Sequence, residues 1–131
     1  MLLDARAPTL LIRSARTREH VCESVELANT FLRRVVGLLG RRSLGHMAGL
    51  WIVPSSGVHT FGMMFAIDVL MLDRQMRVIK VYENLQPNRV GGICRASHSA
   101  LEMPAGSIKA QRLAVGDLLV VDSLLSSQAH L

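Results

Sequence analysis

The sequence predicts a mostly β fold: β-rich α+β, arranged as a small closed or partly open β-barrel with one main amphipathic helix and short helical turns. Three observations lead there. Ile67-Asp68-Val69-Leu70-Met71-Leu72-Asp73 is an almost continuous apolar run, typical of a strand covered on both faces, and Met76 to Glu83 alternates like a strand returning antiparallel across Asp73-Arg74-Gln75. Phe31, Leu32, Val35, Val36, Leu38 and Leu39 fall within about 160° of a helical wheel, with Arg33, Arg34 and Arg41 on the other side. Glycine, proline, asparagine and serine clusters divide the rest into short strands rather than long helices.

Taken in order, residues 1–18 mix apolar and basic side chains without a sustained period and are expected to be a loosely held arm. Val21, Glu23 and Val25 set against Cys22, Ser24 and Glu26 predict a strand over 19–28. Asn29-Thr30 then offers capping chemistry for the helix, and Gly40 with Arg41-Arg42 suits its C-terminal end. Those arginines form a solvated helix face; the alternative is an anion or phosphate site. Leu50 to Val53 reads as a buried strand stopped by Pro54-Ser55-Ser56-Gly57. Asn84 to Gly92 makes a long loop whose Gly91-Gly92 pair suits a crossover or a ligand edge. Ser97 to Met103 predicts another strand, Ser107 to Leu113 two helical turns, Val115 to Asp117 a turn, and Leu118 to Val121 a final strand. Residues 123–131 form a tail, which leaves one domain over 19–122.

A chain of 131 residues that is 50% hydrophobic and 19% charged has enough apolar surface for one core. Its richest apolar stretch, Val58 to Leu72, is interrupted by His59 and Asp68 and is too short to span a membrane. The run Pro8 to Ile12 lacks the flanks of a signal peptide. A soluble cytoplasmic protein is therefore expected. Cys22 and Cys94 show no CxxC spacing and are expected to be reduced, although a disulfide between them is not excluded. Net charge is +5, and every basic residue except Lys80 and Lys109 is arginine. With only five aromatics and no dense basic stripe, nucleic acid is a poor candidate partner. GxxxxGK and GxGxxG are both absent, so phosphate-loop and Rossmann chemistry are set aside.

Several segments together resemble a known family. These are Phe31-x-Arg33-Arg34-x-x-Gly37-Leu38-Leu39-Gly40-Arg41, Val58-His59-Thr60-Phe61-Gly62-Met63, Ile67-Asp68-Val69-x-x-Leu72-Asp73, Leu101-Glu102-Met103-Pro104-Ala105-Gly106, and Gly116-Asp117. In this order, over roughly residues 20 to 122, they resemble the uncharacterised bacterial and archaeal family called domain of unknown function 192. The resemblance implies a compact β-barrel-like fold and no assigned activity. The chain departs from the family pattern at Met64 and Ala66, where arginine and proline are common. It also has Ser55 where cysteine is frequent, and Gln75-Met76 where an Asp-Gly pair usually turns the hairpin. Gly37, Pro104, Gly106, Gly116 and Asp117 read as structural motif positions, Asp117 locking a turn by accepting backbone N–H bonds.

The candidate ligand-binding or functional residues are His59, Thr60, Met63, Asp68, Glu102 and Arg95. A histidine near a carboxylate is general-base chemistry, but no nucleophile elbow accompanies it. The other reading has His59 bonded to backbone or to Asp68. Metal binding by His59, Asp68, His98 or Glu102 with Met63 lacks any recognised ligand spacing, so neither metal nor cofactor is expected. Glu102 reads as a rim ion pair or as a polar lining residue of a barrel pocket with His59, Asp68 and Arg95. The favoured function is a non-enzymatic small-molecule or protein-binding module. Its alternatives are a hydrolase-like enzyme using His59 and Asp68, and a basic adaptor for an anionic partner such as RNA through Arg33, Arg34, Arg41 and Arg42.

Overall fold

The apolar segments pair into two sheets in a computed structural model, which describes residues 10–30, 34 and 37–123. The strands are β1 (Leu10–Ser14), β2 (His20–Ala28), β3 (Ala48–Ile52), β4 (Val58–His59), β5 (Ile67–Leu72), β6 (Val78–Leu85), β7 (Val90–Gly91), β8 (Ser99–Pro104) and β9 (Leu119–Ser123), with one short helix, α1 (Ser107–Ala110). Seven strands form one sheet in the order β6-β5-β8-β3-β2-β1-β9, and β4 pairs with β7 apart from it. Every pairing is antiparallel except β2 with β3. The large sheet curls into a half-barrel, and an isolated bridge between Arg77 and Leu118 joins its β6 side to its β9 side.

Strand periodicity explains the two cores. Successive side chains on a strand point to opposite faces, so β5 sends Leu70 and Leu72 to one side and Ile67, Val69 and Met71 to the other. The first set joins Ile12, Val21, Leu101, Met103, Ile108 and Leu119 inside the curl. The second joins Ala28, Leu38, Leu50, Val58, Met63 and Ala100 on the outer face. All six β5 residues are buried, as a continuous apolar run requires when both faces are covered.

Several expectations are corrected. Residues 10–14, read as part of a loose arm, form β1 between β2 and β9, with Ile12 fully buried. Their short Leu-Leu-Ile run shows no alternation, and β9, one of their two partners, lies about a hundred residues downstream. The helix expected over 31–39 falls largely on residues outside those described. Arg34 is helical and its N–H donates to Thr30 O at 3.0 Å, but Gly37 already has φ +47° and residues 37–40 are turns. The two helical turns expected over 107–113 shorten to α1, after which Arg112 takes φ +55°. β6 starts two residues later than the alternation suggested because Asp73 Oδ1 accepts from the N–H groups of Gln75 and Arg77, both at 2.9 Å. Met76 itself adopts φ +67°, filling the left-handed position that a glycine would occupy without strain. Most of the expected tail, residues 124–131, lies outside the described residues.

Candidate functional site

Asp68 and Glu102 sit on adjacent strands, but on opposite faces of the sheet. Asp68 pairs with Met103 across β5 and β8, while Glu102 pairs with Val69 on β5 and Leu50 on β3. This one-residue offset places the Asp68 side chain with Met103 inside the curl and Glu102 on the outer face with Leu50 and Val69.

Asp68 is fully buried and spends its carboxylate on backbone groups. Oδ1 accepts from Asn84 N–H at 2.8 Å, and Oδ2 accepts from Gly106 at 3.1 Å and from Ile108 at 2.8 Å. Asn84 and Gly106 have φ of +52° and +95°, so one side chain ties β5 to an irregularity in β6 and to the turn that starts α1. Thr60, also fully buried, has a comparable arrangement. Its hydroxyl donates to Gln86 O and accepts from Arg89 N–H at 2.8 Å, while its backbone N–H donates to Arg89 O at 2.8 Å. It stitches the segment after β4 to the loop before β7.

His59, Met63 and Glu102 do meet, in a cavity of about 210 Å³ on the outer face, lined also by Arg34, Ile52 and Val58. Glu102 is 4% exposed, and among the described residues its Oε2 has no hydrogen-bond partner. Burial pushes its carboxyl up from 4.5 to about 7, because desolvation penalises the charged form. His59 is exposed and its ring lies 5.7 Å from that of Phe61, itself 53% exposed. The guanidinium of Arg34 reaches Val53 O at 3.4 Å and makes no ion pair with Glu102.

The expected grouping is therefore divided. Asp68, Thr60 and Arg95 do not line the cavity, and Arg95 is exposed. Glu102 is buried rather than at a rim, and among the described residues it makes no ion pair. Gly91 backs β4: a Cβ there would come within 2.7 Å of Val58 Cγ1 and 2.9 Å of Tyr82 Cζ, so the glycine permits close packing. Arg34, read from the sequence as part of a solvated face with an anion site as the alternative, lines the cavity. Arg41 instead pairs with Glu26 at 2.6 Å. The helical spacing of the arginines and the family motif around Arg33-Arg34 carried the signal for Arg34.

The motif positions hold backbone geometry. Gly37, Gly106 and Gly116 all have positive φ, and Pro104 O accepts the Ser107 hydroxyl at 2.6 Å. Asp117 accepts Ala114 N–H at 3.0 Å and both Nε and Nη2 of Arg16. The hydrogen bond from Arg16 holds its carboxyl below the usual range. Among the described residues no group of three or more His, Cys, Asp and Glu side chains is placed to hold a metal ion. No helix among them is long and apolar enough to cross a membrane.

With this geometry in view, residues 12–121 match the model of DUF192, described as an uncharacterized ACR. A UPF0127 protein of Thermococcus kodakarensis is 31% identical over 100 residues, covering 72% of this chain and 62% of that protein. The chain thus spans less than two thirds of that relative's length. A solved structure of a protein of unknown function from Novosphingobium aromaticivorans superposes with a TM-score of 0.75 at 19% identity, covering 88% of this chain and 94% of that one. A Sinorhizobium meliloti protein proposed to be a transcription regulator gives a TM-score of 0.75 at 21% identity, covering 92% and 98%. At such identities the two structures share the fold.

Proposed function

Because the chain belongs to the DUF192 family, which is uncharacterised, we propose its function from the cavity itself: a non-enzymatic module that binds a small molecule between β3, β4 and β8. One observation carries this reading, the buried Glu102 Oε2 that has no partner among the described residues. A buried carboxylate without a donor costs more than a protein normally tolerates at a purely structural position. A ligand N–H or O–H would satisfy it, and the apolar side chains of Ile52, Val58 and Met63 would take the ligand's body. The hydrolase alternative has less support, since Asp68 already accepts three backbone N–H groups and lies off the cavity. The basic-adaptor alternative is weakened by the engagement of Arg41 with Glu26.

The finer architecture belongs to the same proposal. We read the curled sheet as a partly open barrel forming one domain, supported by the Arg77–Leu118 bridge between its sides. The free thiols of Cys22 and Cys94 fit a reducing, cytoplasmic setting.

A thermal-shift screen with a metabolite library, run in parallel on the wild type and Glu102→Gln, tests the site. A compound present at 100 times its Kd stabilises the folded state by about 2.7 kcal/mol. The expected result is a set of compounds that stabilise the wild type and lose most of that effect in Glu102→Gln, each protein measured against its own unliganded baseline. Compounds that stabilise both proteins equally would move the binding site elsewhere.

A further inference from the structure

The cavity is lined by groups of opposite charge that differ in burial. Glu102 lies buried beside Leu50 and Val69 in the middle of the sheet, whereas Arg34 is half-buried and His59 exposed. Ile52, Val58 and Met63 supply the apolar surface of the same cavity. The two opposite charges share it without pairing with each other. Among the described residues, the only hydrogen bond from the Arg34 guanidinium is the long one to Val53 O.

Resting on the binding reading above, we propose that the ligand is a small bipolar molecule of amino-acid size, its ammonium directed to Glu102 and its carboxylate to Arg34. The volume supports the size: about 210 Å³ is somewhat larger than a cavity of about 150 Å³ that takes one benzene, so it admits a ligand of amino-acid size. Charge selects the class. A lone carboxylate would enter beside an acidic floor, which disfavours it. A lone amine would satisfy Glu102, but would pass a guanidinium at Arg34 and gain nothing from it. A molecule bearing both groups satisfies the carboxylate and presents two oxygens to the planar fork of Arg34, a geometry that guanidinium matches with paired N–H donors. Its short aliphatic part would pack on Val58 and Met63. The anion-site alternative for the helix arginines and the polar-lining alternative for Glu102 thus become two ends of one site.

Titration calorimetry with three probes tests this: L-serine, isopropylamine and propionate, each at neutral pH and up to millimolar concentration. L-serine is expected to bind, with the two single-headed probes at least about tenfold weaker, since a hydrogen bond to a charged group contributes about 1.5–3 kcal/mol. Glu102→Gln and Arg34→Gln should each weaken L-serine at least about tenfold, and Arg34→Gln should leave isopropylamine no weaker than before. Arg34→Lys, which keeps the charge but not the fork, should recover part of the loss and guards against misfolding of the glutamine variant. Isopropylamine binding as tightly as L-serine, with Arg34→Gln silent, would overturn the bipolar class while leaving the cavity as the site. Binding of any probe that Glu102→Gln does not alter would overturn the cavity reading itself. Absence of L-serine binding also refutes the ligand class.

Discussion

Replacing Glu102 with glutamine is expected to stabilise the unliganded protein above neutral pH and to leave its acid stability nearly unchanged. The carboxyl lies on β8 between β3 and β5, with Leu50 and Val69 as its cross-strand neighbours and 4% of the residue exposed. Burial raises its pKa from 4.5 to about 7. At about 1.4 kcal/mol per pH unit, this amounts to about 3 kcal/mol. The sign follows from proton binding. The unfolded chain releases this proton near its ordinary value, and the folded chain holds it until about pH 7. Between those values the folded state binds more protons, so stability falls as pH rises, and above about pH 7 the full penalty applies. Glutamine cannot ionise.

Urea denaturation of both proteins from acid to mildly alkaline pH should therefore give a difference in unfolding free energy that is nearly constant at low pH. It should then climb by about 3 kcal/mol in favour of the variant and level off above neutrality. Carboxylates elsewhere cancel in the difference. Among the described residues, the charged or titratable groups sharing the cavity with Glu102 are Arg34 and His59, while the flanking Leu50 and Val69 are apolar. Repeating the series in a His59→Gln background separates any histidine contribution. A difference that stays flat across the whole range would refute the desolvation of a Glu102 carboxyl that has no partner among the described residues.

Three further outcomes follow from the buried polar groups. Asp68→Ala strands three N–H groups that bond to a charged acceptor, each bond contributing about 1.5–3 kcal/mol, so urea midpoints should report a loss of at least about 3 kcal/mol; a loss under about 1 kcal/mol would contradict the assigned role. Thr60→Val removes the hydroxyl that receives Arg89 N–H and donates to Gln86 O. A loss of about 1–3 kcal/mol should accompany faster hydrogen exchange at the Arg89 amide, and unchanged exchange there would count against the stitch. Asp117→Asn weakens the link to Arg16, whose hydrogen bond lowers the carboxyl's pKa. That stabilisation exists above the ordinary carboxylate range and disappears as pH falls through the lowered folded-state value. The variant's deficit in Tm at neutral pH should accordingly vanish on acidification, and a deficit that persists in acid would assign the loss to turn geometry instead.

Alternation and turn chemistry made most strands legible. β2 coincides with its predicted span to within a residue, and β5 needed only its apolar run to be read as covered on both sides. The motif glycines at 106 and 116 take positive φ, as their use in turns implied, and so does Gly37, which the apolar spacing places inside a helix over 31–39. The grouping of His59 with Asp68 did not carry over, because proximity in sequence says nothing about which face of a sheet a side chain occupies. That depends on register, and the offset between Asp68–Met103 and Val69–Glu102 separates the two acids by one residue and one sheet face.

Composition, periodicity and turn residues reach only as far as local physics: strand period, left-handed glycines, and the apolar content for a core. They established a mostly β chain of one family with His59, Met63 and Glu102 among its distinctive residues. Long-range pairing added the rest. β1 became an interior strand of the sheet through partners in β9 about a hundred residues away, and Glu102 lost its solvent because β3 and β5 flank β8. Arg34 lines the same cavity. Desolvation and register are properties of the packed sheet, and they convert a row of candidate residues into a cavity lined by a buried acid and a half-buried arginine.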